Sequence, residues 1–159
     1  MSPHVKSSHK ESLLKLAIKD QDDLLVLSSL LQDATVLIGD MGYDADRGQF
    51  MMVAARYCHD EQDDPKDSIE NSIKDGIDAG RGHRRLIGIN FDQIKGLKRK
   101  GFSPNDSDDV LNLLAIQAED DHIDMIFAGA AMLRLECDAI RVYAADLGEG
   151  WSTGFEPKH

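Results

Sequence analysis

Protein chemistry needs nucleophiles, bases, metal ligands or concentrated charge, and this sequence offers few of them in useful patterns. Its two cysteines are Cys58 and Cys137, and its six histidines include His59, beside Cys58, and His122, between Asp121 and Asp124. Cys58 and His59 cannot serve as nucleophile and base on one strand, because neighbouring side chains point to opposite faces. His122 with its flanking carboxylates could be a polarised imidazole, but at the mouth of a hairpin a solvated turn histidine is the better reading. His4 and His9 sit in a polar leader with no fixed geometry for a metal. Asp44-Ala45-Asp46-Arg47-Gly48 begins like a calcium loop. Its glycine comes one position early and no Glu closes it near Arg56 to Cys58, so an Asp- and Gly-rich turn is the reading kept. No Gly-x-Gly-x-x-Gly, Gly-Lys-Ser/Thr, Gly-x-Ser-x-Gly, His-Glu-x-x-His or Cys-x-x-Cys motif occurs. No catalytic residue, cofactor or metal is assigned.

What remains is charge. The formal net charge is −11, which favours solubility and argues against general attraction to nucleic acid or an anionic membrane. Between Asp60 and Asp78, eight acidic residues stand against Lys66 and Lys74. The next stretch reverses sign: Arg81, Arg84, Arg85, Lys95, Lys98, Arg99 and Lys100 stand against Asp92, with His83 among the arginines. Arg84, Arg85, Lys95, Lys98, Arg99 and Lys100 are therefore the candidate contact residues for a partner, which could be a phosphate, an acidic peptide or nucleic acid. Aromatic residues for base stacking are scarce there, so nucleic acid is the weakest of the three. The basic run could also serve the chain itself, with no partner involved. Lysines on an edge strand block sheet-to-sheet aggregation, and the acidic stretch could pair with the basic one at up to ~1 kcal/mol per solvated contact. Ile69, Ile73 and Ile77, spaced by four in the acidic stretch, form a second candidate surface that orders on binding.

The elements that would position these residues read as α+β. Composition is 42% hydrophobic over 159 residues, enough for one domain with a core. Residues 1–11 read as a flexible tail and 12–159 as one domain, with an acidic, mobile excursion at 59–83. Leu14 to Lys19 alternates as a first strand, and Asp20 caps a helix over Gln21 to Gln32 carrying Leu24, Leu27 and Leu31. Thr35–Asp40 and Gln49–Tyr57 form a hairpin, and Leu86–Phe91 is a further strand. Another runs through Ile94 and Leu97 and ends at Lys98-Arg99-Lys100-Gly101. Val110 to Glu119 is apolar enough to be a central strand with both faces covered. Ile123, Met125 and Phe127, then Leu133, Leu135 and Cys137, make a second hairpin turning at Gly129, with Arg134, Glu136 and Asp138 on its wet face. Beyond it, Ile140, Tyr143, Ala144 and Leu147 fit helical spacing, which predicts a short C-terminal helix. Trp151 and Phe155 are expected to fold back on the domain.

The segments Phe91 to Gly101 (FDQIKGLKRKG) and Leu111 to Ile116 (LNLLAI) resemble a family of small bacterial proteins catalogued as a domain of unknown function. So do Phe127-Ala-Gly, Leu133-Arg-Leu, Ile140, Asp146-Leu-Gly and Trp151. The resemblance runs from about Leu13 to Phe155 and implies one domain of cytoplasmic, bacterial origin; the acidic excursion is longer than it leads one to expect. It implies no activity, ligand or site residue.

The expected fold is thus a mostly antiparallel, strongly bent sheet or partly open barrel, similar by analogy to pleckstrin-homology domains, with one helix after the first strand and one at the end. No signal peptide or membrane-length apolar run is read, and both cysteines suit a reducing compartment, so the cytoplasm is the expected address. The expected function is a non-enzymatic binding or interaction module whose partner is left open, a protein being one option; the alternative is a small-molecule-binding protein or enzyme with a pocket in the sheet. An exposed strand edge could also pair two copies.

Overall fold

Asp20 starts the one helix of the described chain through its side chain. Its backbone is extended (φ −145°) and its Oδ1 accepts from the Asp23 N–H at 2.8 Å, satisfying one of the helix's open donors. Helix α1 spans Gln21–Leu30 and buries Leu24 and Leu27, with Leu31 just past its end. Leu25 and Val26 remain 61% and 53% exposed, so the buried stripe is narrower than the leucine count suggests. A computed structural model describes residues 13–58 and 83–148. The predicted tail, most of the acidic excursion with Ile69, Ile73 and Ile77, and the terminal Trp151 and Phe155 lie outside the described residues.

Among the described residues nine strands accompany the helix: β1 Lys15–Ile18, β2 Thr35–Asp44, β3 Gln49–Cys58, β4 His83–Phe91, β5 Gly96–Lys100, β6 Val110–Ala118, β7 His122–Phe127, β8 Ala131–Glu136 and β9 Val142–Asp146. They form one sheet in the order β1-β9-β4-β3-β2-β6-β7-β8-β5, and every pairing is antiparallel. The sheet is not closed into a barrel: β1 and β5 are its two ends.

It must nevertheless bend hard. β4 and β5 lie six strand positions apart in that order, which in a flat sheet is roughly 29 Å at ~4.8 Å per strand. Only residues 92–95 join them, and the five steps from Phe91 to Gly96 reach at most about 18 Å. The linker is held by the Ile94 N–H donating to the Gly48 carbonyl at 2.8 Å and the Lys95 N–H to the Glu136 carbonyl at 2.7 Å, so it ties the β2–β3 turn to the end of β8. Two register shifts provide the curvature, between Val36 and Met41 in β2 and between Leu113 and Ala115 in β6. Just beyond the second shift, the Ile116 N–H donates to Ser28 Oγ of α1 at 2.9 Å, and the helix packs chiefly on β6.

Alternation along each strand sends one set of side chains to the concave face, where Phe50, Ile87, Phe91, Leu113, Ile116, Ile123, Phe127 and Leu133 close over the leucines of α1. β6 is central as expected, but only one of its faces is covered: Val110 and Leu114 are 55% and 43% exposed. The expected C-terminal helix is overturned, because residues 142–146 are strand β9, paired with both β1 and β4. With it goes the closing helix on which the pleckstrin-homology analogy leaned. The apolar spacing misleads because one inward position of β9 is a carboxylate. Asp146 is buried, gripped by Arg56 of β3 through Nε–Oδ1 at 2.8 Å and Nη2–Oδ2 at 2.7 Å, and its Oδ2 also accepts from the Leu14 N–H at 2.9 Å. Burial alone would push the Asp146 carboxyl up; the hydrogen bonds from Arg56 and Leu14 and the charges of Arg56 and Arg85 outweigh it and hold it below the usual value.

Candidate functional site: a charged strip on the outer face of β5, β8 and β7

The β7–β8 hairpin turns on Gly129, whose φ of +80° suits a residue without Cβ. From that turn the register follows: Asp124 faces Arg134, His122 faces Glu136, and across the next pairing Arg134 faces Lys98 and Met132 faces Lys100. Cross-strand partners share a face, so His122, Asp124, Arg134, Glu136, Lys98, Lys100 and Met132 all lie on the face away from the core. Opposite charges are drawn into pairs along it. Arg134 forks onto Asp124 with Nε–Oδ1 at 2.8 Å and Nη2–Oδ2 at 2.9 Å, a geometry that raises the guanidinium's affinity for its proton. Lys98 Nζ meets Glu136 Oε2 at 3.2 Å.

His122 is mostly covered, with 16% of its side chain exposed, and lies between two carboxylates. Its Nδ1 is 2.6 Å from Asp121 Oδ1 and its Nε2 is 3.5 Å from Asp124 Oδ2. An ionised carboxylate only accepts, so Nδ1 carries the hydrogen that bonds it; that bond holds the Asp121 carboxyl below its usual value. Glu119, Asp120, Asp121, His122, Asp124 and Arg134 line an open recess of about 590 Å³. A smaller one of about 210 Å³ is lined by Lys98, Arg99, Lys100, Met132 and Arg134. Arg134 belongs to both, so the strip runs from an acidic end to a basic end across one shared guanidinium. No Ser, Thr, Cys or Lys lines the acidic recess. The histidine there could polarise a water at most, and the basic end can attract and orient an anion. Among the described residues no cluster of three or more His, Cys, Asp or Glu is arranged to hold a metal ion.

The cations picked out in the sequence do not converge. Lys98, Arg99 and Lys100 stand together on β5, at one end of the sheet. Arg84 and Arg85 belong to β4, with five strands in between. Arg84 donates through Nη1 to the carbonyls of Ala55 at 2.9 Å and Asp33 at 3.3 Å and sits 5.9 Å from the centre of the Tyr57 ring, so it is used in holding β3 and β4 together. Arg85 faces Arg56 in register and adds its charge near Asp146. Lys95, in the β4–β5 linker, is bound to both oxygens of Asp138 at 2.9 Å, which raises its hold on its proton. Arg99 and Lys100 are exposed and form no ion pair among the described residues. Sequence reasoning left Arg134 and Asp124 out of the site. A signal was there: each stands five residues from Gly129, on opposite sides, and opposite charges equidistant from a hairpin turn pair across it.

Fold and strip together define a small α+β domain on one open antiparallel sheet, with a charged outer strip at its β5 end. The chain belongs to the family described as "Protein of unknown function (DUF2948)", whose model matches residues 14–159. No curated protein and no solved structure matches it. No helix among the described residues is long and apolar enough to cross a membrane.

Proposed function

We propose that this chain is a non-enzymatic interaction module that takes an acidic protein partner on the basic end of the strip, Lys98, Arg99 and Lys100 of β5 with Arg134 beside them. The observation that carries the reading is the contrast within the cation set. Lys95 and Lys98 already have carboxylates and Arg84 serves the backbone, whereas Arg99 and Lys100 lie exposed on the end strand, beside a recess that Met132 and Arg134 also line. A net charge of −11 repels a uniformly charged nucleic-acid backbone, whereas a protein can present a short acidic segment to the basic end alone, which favours a protein as the partner. Two free cysteines support an address in a reducing cytoplasm. The test is a pull-down with the full chain at about 0.1 M and about 1 M salt, where the Debye length falls from ~10 to ~3 Å. The expected result is a partner that leaves as salt rises and is not captured by Lys98→Ala/Arg99→Ala/Lys100→Ala. A triple variant that keeps every interaction of the wild type removes the reading. The second reading, a small ligand or substrate in the sheet, rests on the recess around His122. A small molecule carried by the purified protein in native mass spectrometry, and lost in His122→Ala, would favour it.

A further inference from the structure

From the free edge of β5 we infer that the partner binds as an extended acidic segment that adds a tenth strand to the sheet. This rests on the reading of the basic end given above and specifies its mode. Among the described residues β5 is hydrogen-bonded to β8 on one side and ends the sheet on the other, so half of its backbone N–H and C=O groups face outward. Lys98, Arg99 and Lys100 are exposed, which leaves that edge open over three consecutive residues. Their side chains alternate: Lys98 and Lys100 share the outer face with Arg134 and Met132, and Arg99 shares the opposite face with Leu133. An incoming strand therefore meets a cation above or below the sheet at each of three successive positions. Charge complementarity favours Asp and Glu on such a strand, above all opposite Lys98 and Lys100 on the outer face. The other end strand, β1, is four residues long and carries one cation, Lys15, so it offers no comparable edge. Strand addition takes its affinity from main-chain hydrogen bonds and its selectivity from alternate side chains, and β5 supplies both.

Lysines on an end strand also serve to repel other sheets, and the experiment separates the two roles. A fluorescent peptide alternating Glu with Val is titrated with the full chain and read by anisotropy. It is compared with the same peptide N-methylated at alternate backbone positions, which keeps its charge and removes the hydrogens it would donate to β5. The expected result is saturable binding of the first peptide, at least about tenfold weaker binding of the methylated one, and slowed amide hydrogen exchange within Lys98 to Lys100. Equal binding of both peptides would overturn strand addition and leave the basic end as a purely electrostatic contact. Absence of binding up to about 1 mM of either peptide would also overturn it, while the salt-dependent pull-down would still judge the broader reading on its own. Loss of binding in Lys98→Ala/Arg99→Ala/Lys100→Ala, with unchanged thermal unfolding, ties the signal to β5.

Discussion

Asp146→Asn tests the energetic centre of the fold. The change keeps the shape of the side chain and removes its charge, leaving the Arg56 guanidinium, 11% exposed, without its buried counter-ion. Breaking a buried ion pair from one side costs about 3–5 kcal/mol. For a domain of this size that is a fall in Tm of roughly 6–20 °C, at about 2–4 °C per kcal/mol. The Leu14 N–H loses a charged acceptor in the same step, so β1 should be the first element to show faster amide exchange. The double change Arg56→Met/Asp146→Leu should recover most of the loss, because the pair is then replaced by apolar volume rather than orphaned. The pH dependence has a definite sign. The folded Asp146 carboxyl is held below its usual value, so the pair's contribution is complete above the unfolded value near 3.8 and is lost as pH falls through the lower, folded value. Wild type should therefore lose stability below about pH 4 more steeply than Asp146→Asn. Urea unfolding monitored by circular dichroism from pH 3 to 7 measures both effects. Loss of less than about 1 kcal/mol at pH 7, or parallel pH profiles for the two proteins, would refute the reasoning.

Other substitutions follow from local geometry. Gly101→Ala should destabilise more than Gly129→Ala in the same urea assay. Both sit at positive φ (+84° and +80°), but a Cβ at Gly101 would stand 2.7 Å from the Ala130 carbonyl oxygen, whereas Gly129 has open space; about 2 kcal/mol or more against about 1 is expected. Leu27→Ala removes a side chain with no exposed surface and should cost about 2–5 kcal/mol, while Leu25→Ala, at a 61% exposed position, should stay within about 0.5. Cys58 should react with a thiol reagent well before Cys137 in the native protein. Cys137 is buried, and burial pushes its thiol up, away from the reactive thiolate. Equal rates for the two would show that the end of β8 opens readily.

What the sequence disclosed was what is local. The Asp20 cap, the Leu24–Leu27–Leu31 stripe and the alternation on either side of Gly129 each depend on neighbours within a few residues, and each is where it was expected. Strand β5 also emerged at Gly96–Lys100, against a predicted end at Lys98-Arg99-Lys100-Gly101. What stayed hidden depends on partners far away in the chain. Asp146 reads as a helical or loop residue until Arg56, 90 residues earlier, is placed opposite it. The exposure of Val110 and Leu114 depends on which face α1 covers, and strand composition carries no trace of that. Arg84 and Lys98 look like members of one run because they are close in sequence; the sheet order puts them on strands with five others in between. Half of the strip was legible, namely the cations of β5. Its Arg134–Asp124–His122 half needed the hairpin register to be applied to charged residues as well as apolar ones.

The sheet's order also sets a timetable for biosynthesis. β1 has one strand neighbour, β9, and the hydrogen bond from Leu14 to Asp146 closes a loop of 132 residues. At about 5–20 residues per second, a ribosome takes roughly 7–26 s to make that stretch. Throughout that interval the first strand has no place to dock, while α1 and the hairpins from β2 onward can pair as they emerge. Among the described strands, β1 can therefore take its place beside β9 only after synthesis has passed Asp146.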